Sequence, residues 1–121
     1  MNGSVAQALS GHSNLSDDYV AFRDAATAAL GEHLTAHIRH AIAETHGLAS
    51  EVPAGDAPAV CLDYARRMPF EHTAITDEEA KAVVSAIGEQ RYVALSVVAA
   101  LADAECRAER VDLVGLVDTA K

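Results

Sequence analysis

The chain has 121 residues, a formal net charge of −9 and a composition that is 50% hydrophobic and 22% charged, which sets a single globular domain against a disordered tail. Its 26 alanines, against 7 glycines, 3 prolines and 5 aromatics, favour helix and argue against a β-sandwich. Nine scattered basic residues leave no cationic footprint for nucleic acid, and an acidic surface repels anionic membranes.

Residues 1–15 are polar and read as a loose or weakly helical arm, with the domain proper over 16–121. Met1 to Ser16 carries no basic n-region and no apolar h-region, and the longest apolar-rich run, Tyr92 to Ala102, is about half a membrane span, so the expected location is the cytoplasm. Ser16, followed by Asp17 and Asp18, reads as a helix start, since its hydroxyl caps free amides and the acids suit the positive end of the dipole. Apolar positions continue through Val20, Ala21, Ala25, Ala28 and Ala29 to Gly31, which either breaks or bends the helix. A second segment runs from Glu32 to His46, with Gly47 as a left-handed stop. Glu51 to Pro58, with two prolines and a glycine, is a loop. The next helix is expected over residues 57–67, ended by Pro69. Thr76-Asp77-Glu78-Glu79 is a capping box opening a helix that stops at Gly88. The last and longest helix spans Glu89 to Arg110 and is apolar on almost every side from Tyr92 to Ala102, as in a domain centre or an oligomer contact. Asp103 and Glu105 read as its return to solvent. The expected fold is all-α, with five to six helices. Because small side chains bury little area each, self-association is expected to complete the core.

The segment from Glu32 to Glu44 carries the most chemistry. His33, His37, His40 and Glu44 are spaced i, i+4, i+7 and i+11 and share one narrow helix face, beside an apolar face of Leu34, Ile38, Ala41 and Thr45. Three readings follow. The four side chains could hold a metal ion, although no HExxH pattern is present. His37 could donate or accept a proton in cofactor-free chemistry. Or the histidines are solvated at a helix boundary, or paired with Glu44. Tyr64 and Tyr92 could offer phenolic hydroxyls to a pocket, but a helical tyrosine on an apolar face is more often core. Cys61 and Cys106, 45 positions apart without a CxxC, are expected to be two thiols.

The stretch from Ala25 to Ile42, closing at Gly47, resembles the core motif of the carboxymuconolactone decarboxylase family, with His37 and Arg39 standing where that motif has its His and Arg. Leu62 to Met68, Ile75 to Glu78 and Val93 to Ala104 resemble the alkylhydroperoxidase D branch of the same superfamily. The resemblance covers roughly residues 17–112 and implies an all-helical, oligomeric fold, commonly a trimer or hexamer, with a pocket near the histidine. Where the peroxidase branch has a Cys-x-x-Cys before that histidine, this chain has Leu30 and His33, so thiol exchange is excluded at that place. The tract after Gly47 departs from the decarboxylase pattern. The resemblance implies decarboxylation or related proton transfer on a small organic acid or lactone, without a cofactor. His37 would be the general acid, His33 or Glu32 its orienting group, and His40 and Tyr92 substrate contacts; Arg39, on the far side of the helix, would make a structural or subunit-bridging ion pair. The alternatives are a non-catalytic or ligand-binding member that has lost the peroxidase thiols, and a metal protein using His33, His37, His40 and Glu44.

Overall fold

Gly31 decides how the N-terminal half folds. Its φ of 101° and ψ of 141° lie where side-chain-bearing residues are strained, so the chain breaks there instead of continuing one long helix. On either side lie α2 (Ser13–Leu30) and α3 (Glu32–Thr45). The computed structural model describes residues 3–111; the expected end of the domain, 112–121, lies outside the described residues. Within them the protein is all-α: α1 (Gly3–Ala8), α2, α3, α4 (Ala59–Glu71), α5 (Asp77–Ile87) and α6 (Glu89–Arg110), with one 3₁₀ turn at His72–Ala74.

Three boundaries differ from the sequence reading. Residues 3–8 form a short helix that packs on α6, within the stretch expected to be a loose or weakly helical arm. The second helix starts at Ser13 instead of Ser16, with His12 at the N-cap and no side-chain cap, so the Ser16 hydroxyl is not the start signal. The fourth helix begins after Pro58, whose carbonyl accepts from the Cys61 and Leu62 amides, and it runs through Pro69 to Glu71. A proline this close to the helix end removes one hydrogen bond and leaves few turns to disrupt, so it does not stop the helix. Other signals hold. Thr76 Oγ1 accepts from the Glu79 amide at 3.2 Å, the first half of the capping box, while the Glu79 carboxylate meets the Thr76 hydroxyl at 3.3 Å in place of the Thr76 amide. Gly47 and Gly88 both carry positive φ at helix ends.

Helix α6 packs against each of the other five helices and forms the axis of the domain. Leu95, Val98, Ala99, Ala102 and Cys106 face a core completed by Leu30, Leu34, Ile38, Ile42, Cys61, Ala65 and Val83. The helix is not apolar-buried all round, as its composition suggested. Val93 is 57% exposed and, with Phe22, Ala25, Ala29 and Val97, lines an outward apolar groove of about 340 Å³ between α2 and α6. No single helix among the described residues is long and apolar enough to cross a membrane.

Glu105 overturns the expectation that α6 returns to solvent after Ala102. Its side chain is 1% exposed and lies against α2, where Arg23 Nε donates to Oε2 at 2.8 Å and the Tyr19 hydroxyl donates to the same oxygen. Burial, and then the bond to this carboxylate, push the Tyr19 phenol well above its ordinary range. Arg91 reaches the C-terminal end of α2, donating through Nε and Nη2 to the Leu30 carbonyl at 3.1 and 2.9 Å. The middle and the C-terminal end of α2 are thus tied to α6 by guanidinium groups. Arg23→Met, which keeps the stem and removes the charge, will leave a buried carboxylate without its hydrogen-bonded counterion. Urea denaturation should show a loss of about 3–5 kcal/mol, while Lys81→Met on exposed α5 shifts stability by less than about 0.5 kcal/mol.

Candidate functional site

The 51–58 loop bonds the first two histidines of the α3 face, His33 remaining exposed. His33 Nε2–H donates to the Asp56 carbonyl at 2.9 Å and His37 Nε2–H to the Ala54 carbonyl at 3.2 Å. Since a carbonyl only accepts, these bonds place a proton on Nε2 of both rings. The two rings meet edge to face with centroids 4.8 Å apart. Gly55, between the two carbonyls, has φ +76°, and a β-carbon there would stand 3.0 Å from His33 Cε1. The loop lies this close because position 55 has no side chain.

This geometry changes several expected roles. The group that orients His37 is the Ala54 carbonyl; Glu32 is exposed in the first turn of α3 and bonds neither histidine, and His33 contributes a ring edge without a hydrogen bond. The reason is tertiary: a loop folded back over the helix supplies what helix periodicity assigned to neighbours in sequence. His40, expected to hold an anion, instead places Nε2 3.4 Å from Glu44 Oε1, and the carboxylate beside it disfavours an anion there. Among the described residues no three His, Cys, Asp or Glu side chains are arranged to hold a metal ion, the set of His33, His37, His40 and Glu44 included. Arg39 makes no ion pair among the described residues; its Nη2 donates to Thr27 Oγ1 at 3.1 Å, and burial, then Arg23, lowers its pKa.

Tyr92 belongs to a hydroxyl cluster. Tyr64 donates to it at 3.3 Å and shares a 2.8 Å hydrogen bond with Ser96. The bond to Tyr64, then burial, raises the Tyr92 pKa. Tyr64 also reaches a cleft of about 270 Å³ between α4 and α5, lined by Val60, Asp63, Arg67, Glu79 and Ala82. The cation of this cleft, Arg67, is already paired with Glu79 and lies 3.5 Å from Glu71. No histidine lines this cleft, the apolar groove between α2 and α6, or a concavity beside Arg107 and Arg110 at the C-terminal end of α6.

Sequence reasoning missed a third arrangement, at the far end of α3. The His46 side chain is 1% exposed. Its Nε2–H donates to Asp103 Oδ1 at 2.8 Å, and its Nδ1 accepts from Arg110 Nη1 at 3.1 Å. Asp103 Oδ2 accepts in turn from Arg107 Nε at 2.9 Å. Phe70 closes the group, with its ring 5.6 Å from that of His46 and 5.4 Å from the Arg107 guanidinium carbon. Asp103, Arg107 and Arg110 stand at i, i+4 and i+7, one helix face legible in the sequence; nothing in the sequence tied that face to His46, which read only as the last residue of its helix.

Comparison with known protein families, curated proteins and solved structures found no match to this chain.

Both cysteines are buried thiols in the core. Burial raises Cys61, and burial with the Glu109, Asp103 and Glu105 carboxylates pushes Cys106 up to about 11. A raised pKa keeps the neutral thiol in the folded state, so at pH 8 about one thousandth of Cys106 is thiolate. An aromatic disulfide reagent at pH 8 should therefore label the native protein at least about a hundred times more slowly than the urea-unfolded chain; labelling at equal rates in the two states would contradict the burial.

Proposed function

We propose that this protein is an all-α member of the alkylhydroperoxidase D-like superfamily that binds a small organic acid, uses no thiol chemistry, and has turned its histidine face from a reactive centre into a clasp. The observation that carries this reading is the pair of bonds from His33 and His37 to the Asp56 and Ala54 carbonyls, which spend the Nε2–H of both rings on the backbone of one loop. Burial of both thiols supports it further, because exchange chemistry needs an accessible thiolate. Loss of the clasp is testable at the loop itself. In the His33→Ala, His37→Ala double variant, hydrogen exchange at the amides of residues 54–56 should rise at least about tenfold, while the exchange of core α6 amides stays as it was.

A second reading has its own observation. An imidazole held at Nε2 by a carbonyl presents Nδ1 in a fixed orientation, as a general base would. In that case the chain is a carboxymuconolactone decarboxylase-like enzyme with His37 as its proton-transfer group. A panel of lactone and aromatic acids separates the two. Binding without turnover supports the clasp; turnover that His37→Ala abolishes overturns it.

Self-association belongs to the same proposal. The groove between α2 and α6 leaves Phe22 49% and Val93 57% exposed beside an alanine floor, where a second copy would bury them. Light scattering at micromolar concentration should give a mass above 12.7 kDa, and Val93→Asp should return it to that value.

A further inference from the structure

We infer that the C-terminal end of α6 is the organic-acid site, and that it takes a small aromatic carboxylate. This rests on the reading of the chain as an organic-acid binder and adds where the acid sits and what kind it is.

Arg110, His46, Asp103 and Arg107 form one hydrogen-bonded row: guanidinium, imidazole, carboxylate, guanidinium. With the imidazole donating from Nε2 and accepting at Nδ1 it is the neutral tautomer, so the row holds two positive charges against one negative. Asp103 neutralises Arg107. Among the described residues Arg110 makes no ion pair, and its one partner is a ring nitrogen. Meeting the negative end of α6 is enough to explain two arginines in its last turn. It does not explain a fully buried imidazole spent on holding one of them.

Beside them is a concavity of about 290 Å³ lined by Arg107, Arg110 and Val111. In a chain of net charge −9, a place with an excess cation next to a cavity is where an anion overcomes the overall repulsion. Arg110 has one N–H tied to His46, which fixes its plane and leaves its remaining N–H groups to meet a carboxylate edge-on. Phe70, 46% exposed, already stacks under Arg107 and offers a ring face for an apolar body. Charge, fork and ring together select a carboxylate on an aromatic ring over an inorganic oxyanion.

The test is a titration of the full chain with benzoate, acetate, benzamide and inorganic phosphate, followed by amide chemical shifts. Saturable binding of benzoate is expected, with shifts at His46, Phe70, Asp103, Arg107 and Arg110, about tenfold tighter than acetate, and no binding of uncharged benzamide. Arg110→Met, an exposed position whose loss leaves the His46–Asp103 pair intact, should weaken benzoate about tenfold or more. Phe70→Ala should reduce benzoate to the affinity of acetate. Benzamide binding as well as benzoate, an unchanged affinity in Arg110→Met, or phosphate binding tighter than benzoate would each overturn the assignment. Benzoate shifts confined to residues outside this cluster would overturn the location and leave the organic-acid reading standing. Failure of benzoate and acetate to bind anywhere would overturn both.

Discussion

A carboxylate in the middle of the domain sets the terms for the rest. Glu105 sits on the most central helix with 1% exposure, and burying an ionised group is costly unless it is paired and hydrogen-bonded. Arg23 and Tyr19 meet that demand at Oε2 from one helix, so α2 lies against α6 with its polar positions 19 and 23 facing inward. Once α2 is laid down in that register, the break at Gly31 and the Arg91 grip on the Leu30 carbonyl fix where α3 begins. The apolar row Leu34, Ile38 and Ile42 then faces the core, and the histidines fall at its outer edge. The histidine face is thus placed by a charge pair remote from it in sequence.

Helix classes and most stops were legible because they rest on local physics. Gly31, Gly47 and Gly88 end segments through backbone conformation alone, and Thr76 caps α5 with its own hydroxyl. What the sequence hid was tertiary. Glu105 read as solvent-facing because nothing local distinguishes a charged residue bound for a partner from one bound for water. Pro69 read as a terminator because its cost depends on how many turns follow it, which is settled by where the 3₁₀ turn begins. The histidine spacing was legible and correct as a helix face. Its meaning was not, since the atoms that meet His33 and His37 are backbone carbonyls some twenty residues later, and a carbonyl has no residue signature.

The same contrast separates the two ends of α3. At its start, imidazoles are used by a loop. At its end, one imidazole joins a carboxylate and two guanidiniums. The sequence draws attention to the first end, where four ligand-type residues recur at helical spacing, and away from the second, where the partners come from a helix 57 positions further on. Hydrogen bonding inverts that emphasis. The crowded face is largely satisfied by the chain itself, whereas the sparse one, among the described residues, leaves a guanidinium edge without a carboxylate beside a concavity.

Gly55 carries a consequence for how this chain can vary. Its missing β-carbon leaves room for the His33 ring, and its positive φ is one that other residues adopt with strain. The two positions are therefore coupled: with a small residue at 33 the steric demand at 55 vanishes and only the backbone demand remains. Asparagine, which tolerates such a φ, fits at 55 most easily in a background that has given up the imidazole, since beside His33 it asks the ring to give by a few tenths of an ångström. Drift away from the clasp therefore has an easier order, with position 33 changing before position 55.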